Sequence, residues 1–121
     1  MTTATKNTQG FEFVDIERLE HFSYEELRDY ANYIGELYES LDGGLRHRKP
    51  DESYNAGAIF RLLRSRTPYG QWETTLKEMG LVPRSIQRLM YIADGVDEFN
   101  LDVEDFSFQD KIIDYIRSLR G

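Results

Sequence analysis

Cysteine is absent from this chain of 121 residues. That absence removes disulfides, thiolate metal ligands and cysteine nucleophiles. Histidine is nearly absent too. His21 and His47 are the only two, they are far apart, and neither sits in a metal-binding spacing such as H-E-x-x-H. No glycine pattern of a phosphate loop or a dinucleotide site occurs. The stretch D-G-V-D-E-F-N-L-D-V-E-D-F holds six acids in thirteen residues, but it lacks the register of a calcium loop. Most other acids stand at expected helix starts or exposed faces, where the helix dipole and solubility account for them. The sequence therefore predicts no enzyme, no metal and no cofactor. Long hydrophobic runs are also missing, and none approaches the ~20 residues that span a bilayer. The start M-T-T-A-T-K-N-T-Q-G is polar, unlike a signal peptide. A cytoplasmic protein without a membrane partner is expected.

The length suits one domain with a modest core. The net charge of −7 opposes simple nucleic-acid binding, because affinity for DNA rests largely on neutralised phosphates. The charge is unevenly spread, however. Residues 1–44 carry three cations against ten acids, residues 45–93 nine against four, and residues 94–121 three against eight. An acidic, basic, acidic order suggests a local interaction surface in the middle block.

Hydrophobic periodicity predicts a mostly α chain of about five helices. Residues 1–10 read as disordered, and residues 11–121 as a single helical domain. F-E-F-V-D-I, from Phe11 to Ile16, alternates briefly and predicts a short strand or arm. Leu19 and Phe22 would dock it on the core. Ser23 and Glu26 form a capping box at the start of a helix running to about Leu41. Its stripe is Leu27, Ala31, Ile34, Tyr38 and Leu41, widened by Tyr30 and Leu37. That face either packs within the chain or forms a seam between two copies.

Asp42-Gly43-Gly44 should end this helix and lead into a basic loop of Arg46, His47, Arg48 and Lys49. Asp51 or Ser53 would cap a helix over residues 52–65, with Arg61, Arg64 and Arg66 as its basic side. Asp94-Gly95 reads as a stop, and residues 96–103 as a loop. Ser107 with Asp110 would cap a last helix, residues 107–119, striped by Phe108, Ile112, Ile113, Ile116 and Leu119.

The most informative segment is T-L-K-E-M-G-L-V-P-R-S-I-Q-R-L-M, Thr75 to Met90. Leu76 and Met79 share one face of a short helix from Gln71, with Trp72 inward. Gly80 supplies the backbone conformation that closes a helix at little cost. Leu81 plugs the corner, and Pro83 opens the next helix. Ile86, Leu89 and Met90 then face back toward the first. This is the spacing of a helix-turn-helix over about residues 71–94, whose second helix can enter the DNA major groove. Arg84, Ser85, Gln87 and Arg88 would point outward to phosphates and base edges. Arg61, Arg64, Arg66 and Lys77 would be positioning contacts on the DNA backbone. Tyr91, one turn beyond Arg88, either adds a phosphate contact or belongs to the core.

Residues 55–93 also resemble a family of short phage and plasmid proteins. Tyr69-Gly70-Gln71-Trp72 is similar to that family's His-Gly-x-Trp-like entry, with Tyr69 in place of His. Arg84, Gln87, Arg88 and Met90 match its Arg-x-x-Gln-Arg-x-Met helix, while Val82-Pro83 departs from its Ser-containing turn. The resemblance implies a mobile-element protein with a DNA-related role.

Two functions follow. One is a helix-turn-helix protein binding double-stranded DNA, a transcriptional regulator or mobile-element accessory factor, with a homodimer formed through residues 23–41 or 107–119. The other is an acidic protein-interaction module that occupies a protein partner's basic nucleic-acid groove, motivated by the acids of residues 12–42 and 94–114.

Overall fold

The computed structural model describes residues 14–40 and 49–121. The expected disordered start, Phe11 to Phe13 of the expected strand, Leu41, the stop at Asp42-Gly43-Gly44, and Arg46, His47 and Arg48 lie outside the described residues, as does the side chain of Tyr38. The chain is mostly helical. Among the described residues α1 is Ile16–Leu19, α2 Tyr24–Ser40, α3 Pro50–Arg66, α4 Trp72–Glu78, α5 Pro83–Phe99 and α6 Gln109–Arg120. A 3-10 turn, Val103–Asp105, precedes α6, and no described residue forms a strand.

The capping box forms as the sequence predicts. The Ser23 N–H donates to Glu26 Oε1 at 2.9 Å, and the Glu26 N–H donates to Ser23 Oγ at 3.1 Å. Leu27, Ala31 and Ile34 of α2 are fully buried, so this face packs within the chain. Where the expected strand falls on described residues, the structure differs. The Val14 N–H donates to the Tyr30 hydroxyl at 2.8 Å, and Ile16 already begins α1. That short helix docks through Leu19, which is fully buried.

α3 is the hub. It packs most extensively on α5, then on α2, and it also meets α1, α6 and the 3-10 turn. Ile59, Phe60 and Leu63 join Leu76 of α4, Leu81, and Ile86, Leu89 and Met90 of α5 in the main core. Trp72 packs against that core, inward as expected. A second cluster unites Ile92 and Val96 of α5 with Ile112, Ile113 and Ile116 of α6.

α4 turns into α5 through Gly80. Its φ is 79°, in the left-handed region that favours glycine. The Gly80 N–H donates to the Lys77 carbonyl and the Leu81 N–H to the Leu76 carbonyl, both at 3.0 Å. Together these two bonds close the helix as a Schellman motif, with Leu81 buried at the corner. Pro83 then takes the first position of α5, where no N–H is needed.

Three helix ends differ from expectation. α3 begins at Pro50 with Lys49 as its N-cap, and neither Asp51 nor Ser53 caps it. α5 does not stop at Asp94-Gly95 but runs on to Phe99, and it closes at Asn100, whose φ is 53°. Gly95 is instead a point of close approach. A Cβ there would lie 2.4 Å from Ile116 Cδ1 of α6. Helix–helix packing thus overrides a local turn signal. At α6, the N-cap is Phe108 and no side chain caps the helix. Ser107 and Asp110 do not cap it. Gln109 replaces Phe108 on the buried stripe, while Phe108 and Leu119 are exposed.

Candidate nucleic-acid interface

The first two turns of α5 carry four of the polar residues singled out from sequence. Arg84 and Gln87 are exposed, and neither side chain bonds another described residue. Ser85 is half-buried, and its N–H donates to the Val82 carbonyl at 3.0 Å. Arg88 is engaged within the chain. Its Nε donates to Gln109 Oε1 at 3.1 Å, and its Nη2 forms an ion pair with Asp110.

The four expected backbone contacts divide in the same way. Arg64 is exposed near the C-terminus of α3. Lys77 lies 3.8 Å from Glu73 one turn before it on α4, a pair of two exposed groups. Arg66 ties α3 to the chain before α2. Its two Nη groups donate to the carbonyls of Phe22 and Glu20, each at 2.6 Å. Arg61 ties α3 to α5 through Asp94 at 3.0 Å and Asp97 at 2.6 Å. Partial burial opposes its charge. The hydrogen bonds to Asp97 and Asp94 outweigh that effect and hold the guanidinium more firmly protonated. Tyr54 donates to Asp97 at 2.7 Å. Burial first, and that hydrogen bond second, push its phenol above the ordinary range. Arg61 and Arg66 are thus fixed by their own chain, and Arg84, Gln87 and Arg64 are left facing solvent.

Comparison of the chain with protein-family models, with curated proteins and with solved structures finds no match.

Further along α5 the outward residues change sign. Asp94, Asp97 and Glu98 are exposed, and Glu98 pairs with Arg120 of α6 at 2.6 Å. The Arg120 guanidinium also lies 4.8 Å from the centre of the Tyr91 ring. Tyr91 is therefore half-buried beneath α6 rather than projecting freely. The open basic surface of α5 is confined to its N-terminal turns.

Sequence reasoning missed Gln109 and Asp110 as neighbours of Arg88. One signal was present. Gln109 stands three and four residues before Ile112 and Ile113, so a polar amide occupies the apolar stripe. A buried amide needs hydrogen-bond partners, and it finds them across the helix interface. Its Nε2 donates to Ser53 Oγ at 2.7 Å, and Ser53 Oγ donates to the Lys49 carbonyl at 3.0 Å.

Proposed function

We propose that this chain binds double-stranded DNA, with α4 and α5 acting as a helix-turn-helix and α5 as the reading helix. A transcriptional regulator or a mobile-element accessory factor is the role that fits. The observation that carries the reading is the pair Arg84 and Gln87. Both are solvent-facing on the first two turns of a helix whose direction is fixed by the Gly80 turn and by α3 behind it. Arginine pairs with guanine and glutamine with adenine in the major groove, and both also reach phosphates.

α5 spans 17 residues, roughly 25 Å at 1.5 Å per residue. Its acids begin at Asp94, so phosphates would repel the distal half. The helix would enter the groove by its N-terminal end.

Fluorescence anisotropy of a labelled random duplex tests the proposal. Binding should appear with a Kd of roughly 1–100 μM and weaken steeply as salt rises, as phosphate contacts dictate. No anisotropy change at low salt, with protein in the hundred-micromolar range on the order of non-specific affinities, refutes it.

The second reading, an acidic module for a basic partner, is favoured by one observation. Asp102, Glu104 and Asp105 are all exposed in a single short segment. A complex that survives loss of Arg84 but fails without these three acids selects it. Among the described residues no helix is long and apolar enough to cross a membrane.

A further inference from the structure

Arg88 is held by two groups of different character. Gln109 is fully buried, and its other end is anchored to Ser53 of α3. It grips the inner nitrogen, Nε, of the guanidinium. Asp110 grips the outer edge, Nη2, and its side chain is 52% exposed. The inner contact is therefore built into the helix interface, while the outer one opens on water. Arg88 also lies one turn after Arg84, and residues four apart on a helix are neighbours on its surface. A phosphate bound at Arg84 would therefore lie one helical turn from Arg88, whose outer edge the Asp110 carboxylate occupies.

We propose that Asp110 is an internal stand-in for a DNA phosphate: Gln109 keeps Arg88 seated while Asp110 and a phosphodiester oxygen compete for its outer edge. This rests on the DNA-binding reading above and adds α6 to it as a brake on affinity. Asp110 loses little when displaced. It stands in the first turn of α6, where the helix dipole favours a negative charge, and it can turn into solvent.

The test is anisotropy titration of one random duplex, at one salt concentration, with the full chain and four variants. Asp110→Asn should bind roughly two- to fivefold tighter than wild type, the span that a half-exposed ion pair commands. Asp114→Asn is the control. It removes an equal charge from the same helix, but among the described residues its carboxylate pairs only with the neighbouring Arg117, at 3.8 Å. It should gain less than Asp110→Asn. In an Arg88→Ala background, Asp110→Asn should lose its advantage. Thermal unfolding of each variant confirms that the fold is retained.

If wild type binds and Asp110→Asn gains no more than Asp114→Asn, the brake is refuted and the DNA reading stands. A gain above that of Asp114→Asn that persists without Arg88 also refutes the brake. If no variant binds, both ideas fall together. If wild type shows no binding, the DNA reading falls whatever Asp110→Asn does, and the brake falls with it.

Discussion

Replacing Gly57 with alanine should lower stability by about 2–3 kcal/mol, a typical cost of forcing atoms into a packed core. α3 and α5 touch here backbone to backbone. A Cβ on Gly57 would lie 2.2 Å from the Leu89 carbonyl oxygen and 3.0 Å from the Cβ of Ala93. A carbonyl oxygen in a helix cannot rotate aside, so the two helices must separate along the most extensive contact in the fold. Alanine gains about 1 kcal/mol over glycine in helix propensity, and the clash outweighs that gain. Since small domains hold only about 5–15 kcal/mol in total, the variant loses much of its margin. Urea denaturation measures this as a lower midpoint with an unchanged slope. Gly95→Ala makes an informative comparison, because its obstacle is the Ile116 side chain, which can shift. It should lose clearly less than Gly57→Ala. An unchanged midpoint for Gly57→Ala would contradict the close approach.

Arg84→Glu should weaken duplex binding by more than tenfold without harming the fold. Removing a base or phosphate contact costs about 1–3 kcal/mol, and a reversed charge adds repulsion from the phosphates. Stability should move the other way. The first turn of α5 carries no acid, and no side chain caps it. A glutamate there complements the helix dipole by about 0.3–1 kcal/mol. A variant that is slightly more stable yet binds poorly cannot owe its defect to misfolding. Equal affinity in wild type and Arg84→Glu, by titration at matched salt, would remove α5 from the interface.

Much of this fold was legible in local pattern. The Ser23–Glu26 box, the α2 stripe and the corner at Gly80 and Leu81 depend on residues close in sequence, where spacing carries the information. What could not be read depends on contacts between distant segments. Asp94-Gly95 has the composition of a turn, and only Ile116 packed against it reveals a helix that continues. Gly57 looks like a weak point in α3 until Leu89 is seen against it.

The interface was legible in the same uneven way. Arg84 and Gln87 stand out on a helix whose buried face is evident from Ile86, Leu89 and Met90. Nothing in the local pattern distinguishes Arg64, which is exposed, from Arg61 and Arg66, which hold the fold together. The acids and carbonyls that engage those two lie more than thirty positions away in the chain. Asp110 likewise reads locally as a helix cap, and its partner Arg88 is 22 positions distant.

The central claim, that the N-terminal turns of α5 meet duplex DNA, is tested most directly by amide chemical-shift mapping. A duplex is titrated into isotopically labelled protein, and the perturbed residues are read from the spectrum. Shifts concentrated on Arg84, Ser85, Gln87 and Arg88, with Asp102 to Asp105 silent, are the predicted result. No perturbation of α5 at saturating DNA, or shifts confined to the segment from Asp102 to Asp105, would contradict it.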